Sequence, residues 1–323
     1  MLIHDELYGC FEIAPVLDEL VQCKAIQRLK KVHQGGATFL VDSRWSGTRY
    51  DHSIGVMLLI KLLGGGIEEQ ILGLLHDVSH TAFSHVIDYV LEDELEDFHE
   101  TLYEEMVMTS EIPTILSQYG YNYKTILNMN SSRLEASLPS LCADRIDYTL
   151  RDLYHCGYVS LQEIKSFIQD LSFVDNQIVI QSLDMAEWFT KAYYHEVTDF
   201  FMHPLNIYAN HQLTQVLKEA LDEKIITLED FKQDDEFLLN HIRNSENDSL
   251  IQALNQIHSE VILVEDNAHY DIHKKLKPRM VNPIVCFEGD FKKLSDISTS
   301  ANTLIQMGME KLQKGVSLRI KSK

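Results

Sequence analysis

The sequence predicts a mostly helical protein with a small C-terminal α+β region. The 323 residues are 45% hydrophobic and include only 6 Pro and 14 Gly, a composition typical of an ordered, largely helical chain. Apolar residues recur with helical spacing up to about residue 258, and short strand-like runs follow. We expect a helical core over residues 1–220 and a helical and α+β region over residues 221–323 that packs on it.

The first two predicted helices, residues 51–63 and 67–77, are apolar and are separated by the breaker Gly64-Gly65-Gly66. A third helix is predicted from Leu141 to Gly157, because its apolar residues share one side and glycine is a common helix stop. Asp144, Tyr148 and Arg151 recur on another side of this helix. A carboxylate, a phenol and a guanidinium in one row would suit an anionic substrate.

The later elements are predicted from shorter patterns. We expect a hairpin over Phe173 to Ile180, helix from Glu187 to Leu221, and an exposed, acidic excursion from Thr227 to Ser245. Strands are predicted at Val261 to Val264, Met280 to Phe287 and Val316 to Ile320.

Three segments contain the residues of a metal site: Arg49-Tyr50-Asp51-His52, the run from His76-Asp77 to His85, and Cys142-Ala143-Asp144. A lone histidine in a helix is usually a packed core residue. Here an apolar helix ends in His76 and Asp77, and a buried charge is costly unless a metal or another partner neutralises it. Imidazole and carboxylate ligands suit Fe, Mn, Ni, Zn or Mg, and a second Mg bound with substrate phosphates is left open.

The charge of the chain limits its partners. The net charge of −21 and the lack of a basic stripe before residue 270 argue against nucleic acid. From Asp271 onward, eleven Lys and Arg stand against five Asp and Glu, a pattern we assign to a solvated face or a subunit contact in preference to phosphate binding. No apolar run is long enough for a membrane span, and the start lacks a signal peptide, so we expect a cytoplasmic protein. The 5 cysteines form no CxxC pair.

The ordered series of motifs resembles one family. His52, His76-Asp77 and Asp144 match the His…His-Asp…Asp pattern of the HD-domain metal-dependent phosphohydrolases. Over roughly residues 2–215 the chain also resembles the deoxynucleoside triphosphate triphosphohydrolases of that group. The further matching motifs are Asp5-Glu6-Leu7-Tyr8-Gly9, Gln34-Gly35-Gly36, Phe98-His99-Glu100, Asp144-Arg145-x-Asp147-Tyr148 and Ala192-Tyr193-Tyr194-His195.

The resemblance implies a role for each matching residue. It implies a helical HD-domain core whose metal ligands are His52, His76, Asp77 and Asp144. The phosphate contacts would be Arg49, His80, Arg145 and Tyr148. Gln34 and Asp152 would receive the sugar 3′-hydroxyl, and Tyr193 would pack on the sugar. His85, paired with Asp88 and supported by His99, would protonate the departing oxygen. The structural alternatives are an Arg145–Asp152 ion pair on the helix surface and core roles for Tyr193 and His85.

The chain departs from this family in the loop Ser79-His80-Thr81-Ala82 and at two positions that bear on substrate binding. Met185 stands where relatives have an arginine, and Lys191 is the nearest cation in sequence, so the phosphate tail would lose one partner. Gly35 replaces a leucine that crowds the ribose 2′ position, which predicts weaker discrimination against ribonucleotides.

We therefore expect a metal-dependent nucleotide phosphohydrolase that converts a dNTP to a deoxynucleoside and triphosphate, and that forms a homodimer or a larger homo-oligomer. One alternative is an HD phosphohydrolase that acts on nucleoside monophosphates or another small phosphoester. Another is a catalytically weak nucleotide sensor, although a pure binding site would not need the proton donor group around His85.

Overall fold

A computed structural model describes residues 2–93, 95–277 and 279–321, and these residues are mostly helical, as the sequence predicts. The helices are α1 (Pro15–Gln22), α2 (Lys24–Arg28), α3 (Arg49–Leu62), α4 (Ile67–Leu75), α5 (Val86–Leu91), α6 (Phe98–Met108), α7 (Ile112–Gln118), α8 (Tyr123–Leu127), α9 (Ala143–His155), α10 (Leu161–Gln169), α11 (Leu183–His195), α12 (Pro204–Asp222), α13 (Asp235–Arg243), α14 (Asp248–Asn255), α15 (Leu294–Ile297) and α16 (Thr299–Lys314). The strands are β1 (Leu2–Asp5), β2 (Gly9–Glu12), β3 (Leu171–Val174), β4 (Gln177–Ile180), β5 (Ile262–Glu265), β6 (Ile272–Lys274), β7 (Ile284–Phe287), β8 (Asp290–Lys293) and β9 (Val316–Lys321).

The strands form three small sheets. β1 and β2 make an N-terminal hairpin, and β5, β9 and β6 make an antiparallel sheet in that order. The third sheet has the order β3-β4-β7-β8, with β4 and β7 parallel. The predicted hairpin is therefore confirmed as β3 and β4, and its edge is extended by strands from the C-terminal region. The division of the chain at residue 220 stays a prediction.

The buried apolar residues form two clusters. The first contains residues from α1 to α4, α9 and α11 together with the C-terminal strands. The second contains residues from α5, α12, α13 and α14. The segment from His76 to His85 leaves the first cluster after Val78 and joins the second at Ala82. The motif with the most histidines therefore spans the boundary between the two clusters.

The predicted helices at residues 51–63, 67–77 and 141–157 are confirmed as α3, α4 and α9, each with slightly different ends. The helix predicted from Glu187 to Leu221 is interrupted. After α11 the chain makes a π-helical turn, Glu196–Phe200, and α12 then starts at Pro204. A proline has no N–H to continue a preceding helix but suits the first turn of a new one.

The sequence missed one local element and gave one wrong prediction about another. The N-terminal hairpin was not predicted, since its four-residue strands alternate too briefly to give a clear pattern. The segment from Thr227 to Ser245 is not an exposed excursion, because Phe231, Leu238 and Ile242 are fully buried in the second cluster. These apolar residues have helical spacing, but the many acidic residues around them made the apolar side of α13 hard to recognise in the sequence.

No helix of the described residues is long and apolar enough to cross a membrane.

The packing of α13 gives a first prediction. Replacement of a fully buried leucine by alanine removes apolar contacts and leaves a cavity, so Leu238→Ala should lower the free energy of unfolding by about 2–5 kcal/mol. Urea denaturation measures this change. Asn240→Ala, on the exposed side of the same helix, is the control and should shift stability by less than about 0.5 kcal/mol. Equal effects of the two substitutions would mean that α13 does not pack on the second cluster.

Candidate active site

Four side chains from α3, α9 and the end of α4 converge at one point. Nε2 of His52 lies 3.2 Å from Oδ1 of Asp144 and 3.7 Å from Oδ2 of Asp77. Nε2 of His76 lies 3.5 Å from Oδ1 of Asp77 and 3.9 Å from Oδ1 of Asp144. The ligand atoms of His52, His76 and Asp144 lie within 4.8 Å of one another, close enough to share one ion. The structure thus brings together the four residues that the sequence predicts as metal ligands.

Each imidazole is held with its Nε2 directed at this point. His52 donates from Nδ1 to Oδ2 of Asp147 at 2.8 Å, and His76 donates from Nδ1 to the carbonyl oxygen of Gly73 at 2.7 Å. Nε2 of His76 is buried and has no hydrogen-bond partner within the described part of the chain. Histidines that bind metals are commonly oriented by such contacts through their other ring nitrogen.

The electrostatics of this point favour a cation. Burial alone would lower the pKa of His52, but hydrogen bonds to Asp144 and Asp147 raise it to about 10. The carboxylates therefore favour a proton at a place where a metal ion could bind. Burial opposes ionisation of Asp77, yet Arg49, at 2.6 Å, and the neighbouring histidines hold the pKa of Asp77 well below its usual range. Two imidazoles and two ionised carboxylates fit a divalent metal.

Three histidines form a second group beside this point. His80 stacks on His99 with ring centroids 3.9 Å apart, and His85 lies edge-on to both rings. His85 donates from Nδ1 to Oδ2 of Asp88 at 2.9 Å. Asp88 also accepts from the backbone N–H of Phe98, which fixes the carboxylate. The structure thus brings together the residues that the sequence predicts as the proton donor group.

This second group is uncharged at neutral pH. Burial lowers the pKa of all three imidazoles, and the charge of Arg49 acts in the same direction, so that the pKa is about 3 for His85 and about 4 for His99. Burial raises the pKa of Asp88 to about 6. Negative charge on a bound ligand would raise the pKa of the imidazoles. The group is therefore able to take up a proton when an anion binds.

The turn between the two groups has a rarely used backbone conformation. Phe83 and Ser84 have φ angles of 58° and 52°, in the left-handed region that most residues avoid. The N–H of Phe83 donates to Oδ1 of Asp235 at 2.6 Å, and the Ser84 hydroxyl donates to the carbonyl oxygen of His33 at 2.7 Å. His33 in turn donates to Oδ2 of Asp235 at 2.7 Å. A fully buried carboxylate on α13 therefore holds the turn in place.

The two groups open into one cavity of about 260 Å³. The sequence-predicted residues that line it are Gln34, Arg49, His76, Asp77, His80, His85, His99, Asp144, Tyr148 and Asp152. His52 is fully buried, and Asp88 lies behind His85. Oε1 of Gln34 and Nδ1 of His80 are buried and lack hydrogen-bond partners among the described residues, so both are available to a ligand.

Three predicted substrate contacts fall outside the cavity. Arg145 donates to the carbonyl oxygen of Ser140 and forms no ion pair with Asp152. Tyr193 is fully buried, which agrees with the alternative that it is a core residue. Arg151 is also fully buried and pairs with Asp147 at 2.8 Å and with Asp5 at 3.0 Å. Helical spacing could not show this, because Asp5 lies on the unpredicted N-terminal hairpin.

Gly35 and Gly36, which follow Gln34, are each required to be glycine for a different structural reason. Gly36 has a φ angle of 68°, and a Cβ there would lie 2.5 Å from Oδ1 of Asn210. A Cβ at Gly35 would lie 2.4 Å from Oγ1 of Thr38, within the same turn. A side chain at position 35 would therefore disturb this turn, and Gly35→Leu is not a clean test of the sugar selectivity expected from the sequence.

A pair of carboxyl groups, Asp152 on the cavity wall and Glu196 behind it, lies in another part of the site. Asp152 lies against Glu196, which is fully buried on the π-helical turn after α11. Burial, and then the charge of Asp152, raise the pKa of Glu196 well above its ordinary value, and burial raises the pKa of Asp152 to about 6. Adjacent buried carboxyl groups do not both ionise readily, so the pair holds one proton at neutral pH. The π-helical turn is a rare backbone form that is frequent at functional sites.

Four residues that shape the site have no role in the sequence analysis: Asp147, Glu196, Asp235 and Arg279. Asp147 belongs to a matched motif, and its position three residues after Asp144 could have suggested a supporting role. Arg279 lines the cavity and belongs to the basic C-terminal stretch. Nothing in the sequence around Glu196 or Asp235 indicates a contact with the site, since their partners are distant along the chain.

Comparison with known proteins agrees with this geometry. The family model of the HD domain matches residues 49–152. The chain is 44% identical over 322 residues to the uncharacterized protein YdhJ of Bacillus subtilis, and this alignment covers 99% of both chains. It is 31% identical over 230 residues to the metal-dependent phosphohydrolase cns2 of Cordyceps militaris, and this alignment covers 69% of the present chain and 67% of cns2.

Two further similarities are more distant. The deoxynucleoside triphosphate triphosphohydrolase SAMHD1 of Homo sapiens is 25% identical over 237 residues, 57% of this chain and 38% of its own. A crystal structure of a hypothetical protein from Aquifex aeolicus superposes with a TM-score of 0.71, at 20% identity, over 97% of this chain and 99% of that one. At that identity the superposition supports the fold alone.

The carboxyl pair gives a prediction about stability and pH. The folded pKa of Glu196 lies above its ordinary value of 4.5, so the folded chain keeps a proton that the unfolded chain releases. The resulting stability is fully present below pH 4.5 and is lost as the pH rises through the folded pKa. Glu196→Gln mimics the protonated acid and cannot titrate. Its stability relative to the unchanged protein should therefore rise by about 1.4 kcal/mol per pH unit within that window.

Denaturant unfolding at several pH values between 4 and 9 measures this difference. Glu310→Gln, which alters an exposed carboxylate on α16, is the matched control and should give a nearly constant difference. A constant difference for Glu196→Gln as well would contradict the shared proton.

Proposed function

Because the chain belongs to the HD-domain family of metal-dependent phosphohydrolases, we propose that it hydrolyses deoxynucleoside triphosphates to a deoxynucleoside and triphosphate. The observation that carries this proposal is the position of a proton donor group, His85 with Asp88, in the same cavity as a four-residue metal site. A binding site alone would need the cation but no proton donor. The similarity to SAMHD1 is the reason to choose a deoxynucleoside triphosphate as the substrate.

The residues suited to hold the metal are His52, His76, Asp77 and Asp144. A divalent metal bound there would lower the pKa of a bound water and neutralise phosphoryl charge. The protein fixes the ligand geometry through the contacts of His52 with Asp147 and of His76 with Gly73. Arg49 supports Asp77 directly and also lines the cavity, so its charge favours a bound phosphate.

The proposed reaction breaks the bond between the α-phosphorus and the 5′ oxygen of the sugar. A new bond forms between that phosphorus and the oxygen of water, and the water releases a proton that, over one turnover, balances the proton donated by His85. The 5′ oxygen leaves with the electron pair of the broken bond and receives a proton from Nε2 of His85. Asp88 holds Nδ1 of His85, so Nε2 is the nitrogen left to face the substrate. Gln34 and Asp152, on the cavity wall, are the proposed partners of the sugar hydroxyl.

Substrate charge has a second function in this proposal. In the free protein His85 is neutral at pH 7, because burial and the charges of Arg49 and Arg279 lower its pKa to about 3. Bound phosphates would offset these two positive charges and raise the pKa of His85. The acid would thus be loaded with its proton only when a phosphate ester occupies the cavity.

Product identity tests the proposal directly. The metal-loaded protein is incubated with single deoxynucleoside triphosphates, and the products are separated by ion-exchange chromatography. Inorganic triphosphate and a deoxynucleoside are expected in equal amounts. Release of orthophosphate from nucleoside monophosphates, without turnover of triphosphates, would instead support the monophosphatase alternative.

The ligand assignment gives a prediction about metal content. His76→Ala removes one of four ligands from a partly buried site, so the purified variant should lose its metal and all turnover. Metal analysis by plasma mass spectrometry measures the content per chain. His241→Ala, which removes an exposed histidine on α13, should keep both metal and activity. Full metal occupancy in His76→Ala would remove this residue from the ligand set.

The proton donor gives a separate kinetic prediction. His85→Ala should lower kcat by about 10²–10⁴-fold, the usual contribution of general acid–base catalysis, and should leave the metal content unchanged. Steady-state kinetics with a saturating substrate measure this effect. A variant with the original kcat and only a higher KM would show that His85 binds phosphate and that the proton comes from another group.

A further inference from the structure

Residues from the segment between β6 and β7 reach the cavity. This segment belongs to the basic C-terminal stretch, outside the residues matched by the HD family model. Leu276, Lys277 and Arg279 line the same cavity as the histidines. Lys277 donates to the carbonyl oxygen of Leu95 and lies 4.0 Å from Glu96, so its charge is already partly engaged. The basic stretch, assigned from the sequence to a solvated face or a subunit contact, thus places two cations at the candidate active site.

Arg279 lies among aromatic groups, and its charge also acts on the buried carboxyl group of Glu196. Its guanidinium is 5.1 Å from the ring centroid of Phe201 and lies near the phenol groups of Tyr148, Tyr193 and Tyr89. Burial raises the pKa of each of these tyrosines, so the phenols stay neutral. Arg279 forms no ion pair with a carboxylate in the described part of the chain. A partly buried guanidinium without an ion pair is costly, which favours an anion from outside the protein.

The other arginines near the cavity have protein partners. Arg49 donates to Asp77 and to Ser84, and Arg151 is enclosed by Asp147 and Asp5. Arg145 donates to a backbone carbonyl and to a cysteine sulfur. Of the two arginines among the described residues that line the cavity, Arg279 is therefore the one that forms no ion pair with a carboxylate.

We propose that Arg279 binds the phosphate tail of the substrate and selects substrates with several phosphates over monophosphates. This inference rests on the proposed function and assigns a binding residue to it. Guanidinium is suited to the task, since its planar donors can bind two phosphate oxygens at once and it stays charged at all relevant pH values. Tyr148 and Phe201 pack around the guanidinium and restrict its positions, which lowers the entropic cost of binding.

The overall charge of the chain favours such a residue. The chain has a net charge of −21, and three acidic residues, Asp77, Asp144 and Asp147, lie in the metal site or directly behind it. A polyphosphate that approaches this surface meets repulsion unless cations lie at the cavity. Met185 and the exposed Lys191, the positions nearest to the arginine that the family resemblance leads one to expect, do not line the cavity. Arg279 reaches the cavity from a different part of the chain.

Kinetics with a matched set of variants test the inference. Arg279→Ala should lower kcat/KM for a deoxynucleoside triphosphate by about 10–100-fold, mostly through KM, because a charge-assisted hydrogen bond to phosphate is lost. Arg279→Lys keeps the charge but not the bidentate geometry. Its kcat/KM should therefore lie between the values for the unchanged protein and for Arg279→Ala. Lys275→Ala, which removes an exposed cation from the same segment outside the cavity, is the control and should change kcat/KM by less than threefold. Thermal unfolding and metal content verify that each variant is folded and loaded.

Binding of inorganic triphosphate separates this inference from the proposed function. Isothermal titration of the metal-loaded protein with triphosphate alone should show about 10–100-fold weaker binding for Arg279→Ala and unchanged binding for Lys275→Ala. If Arg279→Ala weakens triphosphate binding but the protein hydrolyses no dNTP, the proposed function fails and the role of Arg279 stands. If dNTP is hydrolysed and a folded Arg279→Ala variant changes kcat/KM and triphosphate binding by less than threefold, the role of Arg279 is overturned.

Discussion

The candidate site depends on one buried carboxylate, Asp147. It accepts hydrogen bonds from Nδ1 of His52 at 2.8 Å, from Arg151 at 2.8 Å and from the hydroxyl of Tyr8 at 2.8 Å. The first contact decides which nitrogen of His52 faces the other ligands, and the other two offset the burial of a charge. Helices α3 and α9 approach so closely here that a Cβ on Gly55 would lie 2.0 Å from Asp147. The N-terminal hairpin therefore has a reason to be part of this fold: it supplies Tyr8 and the second partner of Arg151.

The remaining charges of the cavity are arranged so that little net charge is exposed before a ligand binds. Burial keeps His80, His85 and His99 neutral, and it keeps one proton on the Asp152–Glu196 pair. Asp77 is matched by Arg49. Two features stay unbalanced: the carboxylates around His52, which favour a cation, and Arg279, which favours an anion. A metal ion and a phosphate ester would satisfy both at once. The cavity therefore combines a cation-binding side and an anion-binding side across a group of neutral imidazoles.

Sequence patterns could predict local structure and the contacts that an ordered family motif implies, but not other contacts between distant residues. The helices that contain His52, His76 and Asp144 have strong apolar patterns, and their motifs are ordered along the chain, so both the fold class and the convergence of these residues followed from the sequence. The role of Asp235 did not follow, because its partners, His33 and Phe83, are about 150–200 residues away. Arg151 was placed in a row of side chains suited to an anionic substrate, because helical spacing shows the side of a helix but not the partner across it. Arg279 was counted as part of a basic stretch, but the composition of that stretch cannot show that some of its residues line the site.

The position of the metal is the central claim, and an anomalous difference map of crystals grown with a transition metal tests it most directly. The account predicts one strong peak about 2.0–2.2 Å from Nε2 of His52, Nε2 of His76 and a carboxylate oxygen of both Asp77 and Asp144. His80, His85 and His99 provide a natural comparison within the same cavity, since they could also bind a metal through nitrogen. A main peak among these three histidines, with none between His52 and Asp144, would contradict the account and would remove His85 from its proposed part in proton transfer.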